Sequence, residues 1–98
     1  MTARYHPKVQ TDIRKILGYY IQESGIALAE DFFEEFNRKI QFAIEKPESF
    51  HYDPSGLRRV NPDKFPYHFL YQQRSQSIYV LVLRHHRRSP RYGLDRRH

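Results

Sequence analysis

The chain of 98 residues contains no cysteine, so neither a disulfide framework nor a thiolate metal site is available to it. No apolar run approaches the ~20 residues that span a bilayer. The opening MTARYHPKVQ also lacks the apolar stretch of a signal peptide. These absences lead us to expect a soluble, cytoplasmic protein with no membrane contact. The length suits one domain, residues 1–98, with a single core, and excludes two. Acidic residues are scarce in one half only. Residues 47–98 hold four Asp/Glu against ten Lys/Arg, whereas residues 1–46 hold seven of each, so the whole net charge of +6 lies in the second half. An excess collected in this way suits a nucleic acid or an acidic protein segment, or a solvated surface kept for solubility.

The most informative stretch is Phe65–Tyr92. It carries a strand, the loop Arg74-Ser75-Gln76-Ser77, and the run from Ile78 to Leu83, which is apolar at every position. Such a run is the mark of a strand covered on both faces. Arg84, His85, His86, Arg87 and Arg88 follow it directly, delivering imidazoles and guanidiniums to one rim of the domain.

Upstream, residues 2–6 suit a short edge strand, and Pro7 suits the first position of a helix. Val9, Ile13, Ile16, Leu17, Tyr20 and Ile21 recur at helical spacing as far as Ser24-Gly25, where a left-handed glycine can end the helix. Ile26, Ala29, Phe32, Phe33, Phe36, Ile40, Ala43 and Ile44 form the stripe of a second helix, stopped by Pro47. Its other face carries Glu34–Arg38 and Glu35–Lys39 at pairing distance. A loop from Pro47 to Gly56, strands over 57–61, 67–73 and 78–85, and an aperiodic tail after Pro90 complete the chain. The fold class is α+β: a helical hairpin on one face of a small antiparallel sheet of three to four strands.

Several residues have a plain structural reading beside a functional one. Tyr67 and Tyr71 share a strand face and suit packing, while His68 points the other way, towards solvent or a site. His85 and His86, adjacent on an extended chain, face opposite sides and cannot both ligate one metal in the usual way. No metal and no cofactor is expected.

The order of these elements carries a resemblance. Asp12, Ala29, Pro47, Leu57-Arg58-Arg59, Phe65-Pro66-Tyr67, Tyr71 and His86-Arg87-Arg88-Ser89-Pro90-Arg91-Tyr92 together resemble the RelE/ParE superfamily of bacterial type II toxins. The resemblance covers about Tyr5 to Arg97. It implies a toxin neutralised by a cognate antitoxin with an acidic tail. Members similar to ParE bind DNA gyrase; members similar to RelE cut mRNA on the ribosome. The Phe-Pro-Tyr turn and the His-x-Arg-Arg-x-Pro stretch look more like the ParE side. That would give target contact to Arg84, His86, Arg87, Arg88, Arg91 and Tyr92. Antitoxin contact would fall to Phe33, Phe36, Arg58, Arg59 and Arg87.

On the RelE alternative the chemistry is attack of a 2′-hydroxyl on the adjacent phosphate, metal-independent, requiring a base, an acid and positive charge. The candidates are Arg59, His68, His86, Arg88 and Tyr92. The resemblance sets His68 and His86 where RelE-like enzymes carry arginines, and only Tyr92 keeps its type. A toxin fold retained as an inert binding module is the third reading.

Overall fold

The computed structural model describes residues 1–97. The order is β1 (Thr2–Tyr5), α1 (Pro7–Ser24), α2 (Ile26–Glu45), β2 (Arg58–Val60), β3 (Tyr67–Arg74), β4 (Ser77–His85) and a 3-10 turn, Leu94–Arg96. None of the described helices is long and apolar enough to cross a membrane.

Helix α1 starts where the sequence permits. Pro7 opens it, and the Nδ1 of His6 accepts the Lys8 N–H at 3.1 Å. Gly25, at φ +91°, reverses the chain between the helices, a conformation that penalises any side chain. Lys46, at φ −136° and ψ 68°, has left the helical region that a following proline disfavours, and α2 ends there. The stripe Phe32, Phe36, Ile40 and Ala43 is buried against the sheet.

The charged face of α2 differs from its helical-wheel expectation. Glu35 is buried, accepting the Lys64 N–H at 3.2 Å with Arg38 at 3.7 Å, while Lys39 pairs with Asp63 at 3.1 Å. Contacts with the loop before β3 displace the i,i+4 pairing of Glu35 with Lys39.

The sheet runs β1-β4-β3-β2. Strands β2, β3 and β4 are antiparallel, but β1 lies parallel to β4, so the sheet is mixed and not wholly antiparallel. Tight turns enforce antiparallel pairing only between the strands they join. Strand β1 is separated from β4 by both helices, so no hairpin sets its direction.

Strand β4 holds the detail that shapes the rest. Leu70 pairs with Val82 and Tyr71 with Val80, leaving Leu81 as an extra residue in a bulge. A bulge shifts the alternation of side chains beyond it. Ile78 and Val80 face the helices; Leu81 and Val82 both turn to the opposite face; Leu83 returns to the helices. The domain therefore has two cores. The larger, under the helices, is aromatic, with Phe32, Phe36, Phe65, Phe69 and Tyr71. The smaller, Leu57, Leu70, Leu81 and Val82, is roofed by Tyr92 and Leu94 of the tail.

Candidate functional site

Without the bulge, Arg84 would continue the phase of Ile78 and Val80 and point under the helices. With it, Arg84 lies on the tail side, opposite His68 in the β3–β4 register. Arg59 of β2, His86 just beyond β4, and Arg88 and Arg91 of the tail complete a pocket of about 420 Å3, which Asp53 of the long loop also lines.

The polar atoms in this pocket form one chain. Arg84 Nε donates to His68 Nε2 at 2.9 Å, so the single proton of a neutral His68 sits on Nδ1. That Nδ1 lies 2.9 Å from Nδ1 of His86, which must then accept, placing the His86 proton on Nε2. The two rings stack with centroids 5.1 Å apart. Arg59 Nη2 approaches His86 Nδ1 at 3.3 Å, and Arg59 Nε donates to Asn61 at 2.9 Å. The balance of the network holds the imidazoles neutral. Burial, then the charges of Arg59 and Arg84, push the His68 pKa down to about 3, against the opposing pull of Asp53. Burial and then Arg59 lower His86 as well.

Among the described residues, Asp53 is the one carboxylate of the pocket. It stands 3.8 Å from Arg59 Nη1 and from Arg84 Nη2, while its other oxygen accepts the Ser55 N–H at 2.9 Å. Burial raises its pKa, but the Ser55 hydrogen bonds and the two guanidiniums outweigh that and leave it lowered. Arg84 itself is only 4% exposed and its Nη1 donates to the carbonyls of Pro90 and Tyr92 at 2.9 and 3.0 Å. It builds the pocket and cannot reach out to a partner, which corrects its expected role as a contact residue. His68, expected on a solvated surface or at a site, is buried inside this network.

Tyr92 is held elsewhere. Its hydroxyl donates to Asp12 at 2.8 Å, and the same carboxylate takes two hydrogen bonds from Arg96, at 2.7 and 3.2 Å. The reason lies in the sheet edge. Strand β1 ends at Tyr5, leaving the edge of β4 open beyond Val80. Asp12 accepts the Leu83 N–H at 3.2 Å and Arg96 donates to the Leu81 carbonyl at 3.0 Å, so an ion pair seals the edge that β1 leaves unpaired.

The antitoxin candidates divide. Arg58 donates to the carbonyls of Glu48 and Phe50 and stacks on Tyr52 at 4.3 Å, which occupies it with the long loop. Arg87 is exposed on the turn after β4. Phe33, 44% exposed, lines a groove of about 470 Å3 on the helical hairpin with Tyr5, Val9, Ile13 and Leu17. Phe36 belongs to the core beneath, reaching that groove only as part of its lining.

Asp53, Asn61 and Arg96 were not singled out as site residues from sequence. Asp53-Pro54-Ser55-Gly56 does carry a turn signature, and the Asp53–Ser55 contact is the local bond it encodes.

The family model for the ParE toxin of type II toxin-antitoxin system, parDE, matches residues 3–90, and the chain belongs to that family. Among solved structures it is similar to a chain of the chromosomal ParDE TA system from P. aeruginosa, with a TM-score of 0.75 at 15% identity, covering 87% of this chain and 95% of that one. At that identity the likeness speaks to the fold. Comparison with curated proteins finds no match.

Proposed function

We propose that this ParE-family toxin arrests growth in the cytoplasm by binding DNA gyrase, and that a cognate antitoxin with an acidic tail neutralises it. One observation carries the choice of binding over cleavage: the imidazoles of the pocket offer no base. His68 Nε2 and His86 Nδ1 both accept hydrogen bonds, and the remaining nitrogens carry the protons. A neutral imidazole N–H is a poor acid, and protonating His86 at Nδ1 would set two N–H groups against each other. Tyr92, the other proton carrier, gives its hydroxyl to Asp12. A nuclease attacking through a 2′-hydroxyl needs both a base and an acid. The pocket instead supplies fixed positive charge on a rigid frame, which suits recognition.

The test is direct. Purified toxin at micromolar concentration is expected to inhibit gyrase supercoiling or to trap cleaved DNA. Unchanged gyrase activity, together with a new cut at the A-site codon in toeprints of translating ribosomes, would replace this reading with mRNA cleavage by the Arg59, His68, His86 and Arg88 cluster.

For the antitoxin, the apolar groove beside Phe33 is the receiving surface, because it presents side chains that a monomer has no reason to leave uncovered. Arg14, which also lines the groove, adds a charge-dependent contribution. The complex should bind more tightly at about 50 mM salt than at about 500 mM. Crosslinks confined to the far face of the sheet would contradict the groove.

A further inference from the structure

The end of β4 has a pocket on each side. One is the His68–His86 pocket. The other, of about 280 Å3, is lined by Lys15, Tyr19, Tyr67, His85 and Tyr92 among others. Arg84 and Arg88 line both, so the two share a wall with Arg88 on its exposed crest. His85 and His86, alternating at the strand end, face one pocket each.

The charges across this double site do not cancel. Its cations are Lys15, Arg59, Arg84, Arg88 and Arg91. Its carboxylates are Asp12 and Asp53, and both are already engaged, Asp12 by Arg96 at 2.7 Å and Asp53 by Arg59 and Arg84 at 3.8 Å. Among the described residues, Lys15, Arg88 and Arg91 have no carboxylate partner. Flat faces lie between them. Tyr19 is 55% exposed, Arg88 lies over the Tyr92 ring at 4.3 Å, and Tyr67 meets His85 edge-on at 5.1 Å.

We propose that this track binds a single-stranded polynucleotide. Its phosphodiesters would lie against Arg59, Arg91 and the outward Nε2–H of His86 on one side, Arg88 on the crest and Lys15 on the other. A base would stack on Tyr19. A basic groove interleaved with aromatic rings is the form such recognition takes, since every base offers a π-face while the backbone supplies regularly spaced charge. An acidic peptide would use the cations and leave the exposed ring unoccupied. The imidazoles offer no base for a 2′-hydroxyl and the Asp53 carboxylate is engaged by Arg59 and Arg84, so the strand is held and not cut. The inference is separate from the gyrase reading, because it is tested with no gyrase present.

The experiment is a fluorescence-anisotropy titration of the full chain with labelled oligo(dT) and oligo(rU) of about 12 nucleotides, a length within the span such grooves cover. Binding should be saturable, with log affinity falling against log salt by about 0.7 per phosphate contacted. Arg88→Gln should weaken it roughly fivefold or more and reduce that slope by about 0.7. Tyr19→Ala should weaken it by a similar factor and leave the slope unchanged. Arg74→Gln, at the hairpin on the opposite end of β4, should change neither; melting curves confirm that each variant folds. Stronger binding of one oligonucleotide identifies the strand as DNA or RNA. The proposal fails if no binding occurs at low salt, if Arg74→Gln is as damaging as Arg88→Gln, or if a glutamate-rich peptide competes on equal terms.

Discussion

The two faces of the sheet are held by different physics. Under the helices, Phe32 meets Phe65 and Phe36 meets Phe69 edge-on, with centroids 5.1 and 5.5 Å apart, and stability comes from apolar area removed from water. Under the tail, the apolar patch is only Leu57, Leu70, Leu81 and Val82, and the cover is fastened by Asp12–Arg96, Asp53–Arg84 and Arg84–His68. The first face tolerates loss of a polar atom and is sensitive to volume. The second is sensitive to any change that strands a charge. The target contact we propose uses the second, because a surface already built from fixed charges suits an anionic partner.

The sharpest way to break this contrast is at Asp12. Removing it leaves the Arg96 guanidinium buried beside the Leu81 carbonyl and the Leu83 N–H unpaired. Asp12→Ala should cost about 3–5 kcal/mol in chemical denaturation, the range for a buried pair that loses one partner. Asp12→Leu with Arg96→Met removes both charges and should recover much of that loss. A double variant no more stable than Asp12→Ala would show that the pair does more than neutralise itself.

The next largest effect is steric. Gly93 holds φ +84°, and a Cβ there would stand 2.5 Å from Val82 Cγ2. Left-handed backbone costs about 1–2 kcal/mol for a residue with a side chain, and overpacking adds about as much. Gly93→Ala should therefore lower stability by about 2–4 kcal/mol and loosen the tail. Hydrogen exchange tells the two faces apart: faster exchange should be confined to the tail-covered side, leaving Phe69 and Tyr71 protected.

How much of this was legible follows the same division. The hairpin was readable because Phe32, Phe36, Ile40 and Ala43 keep helical period and Gly25 and Pro47 punctuate it. Strand β4 was readable because apolar residues at every position require cover on both sides. The order of weak motifs carried the family. The tail-side face was not readable. Arg84 reaches His68 only because one extra residue, Leu81, shifts the alternation, and an apolar run conceals a bulge. Asp12 and Arg96 are 84 positions apart, and nothing local marks either as buried. Of the nuclease candidates Arg59, His68, His86, Arg88 and Tyr92, all but Tyr92 converge on one pocket, but the charges that decide its chemistry come from Asp53 and from the placing of Arg84.

Acid should open the contrast further. His68 is held neutral in the folded protein, with a pKa of about 3, whereas the unfolded chain binds its proton near the ordinary value of 6.5. A depressed histidine costs nothing above pH 6.5 and withdraws stability as pH falls towards 3, by at most about 1.4 kcal/mol per unit. His86, lowered in the same direction, adds to the slope. Asp53 acts the same way, but only below its ordinary value of 3.8. Between pH 6.5 and 5 the loss should reach about 2 kcal/mol from His68, and His68→Gln should flatten that part of the profile. A wild-type profile flat over this window would contradict the neutral pair.

The smallest effect tests the other face. Tyr71 is fully buried among the aromatic side chains, and its hydroxyl donates to the Pro47 carbonyl at 2.6 Å. Burial pushes its pKa up to about 12, so it remains a neutral donor throughout the ordinary range. Tyr71→Phe removes the hydroxyl, keeps the ring, and leaves one carbonyl at the rim of the long loop. The expected cost is about 1 kcal/mol, the net worth of a neutral hydrogen bond, and the pocket on the opposite face should keep its affinity for any anionic partner. The contrast rests on this being several times smaller than the loss at Asp12, since each variant removes the acceptor or donor of a buried bond and they differ chiefly in whether a charge is left behind. Comparable losses at Tyr71 and Asp12 would mean that the helical face, too, depends on its polar anchors.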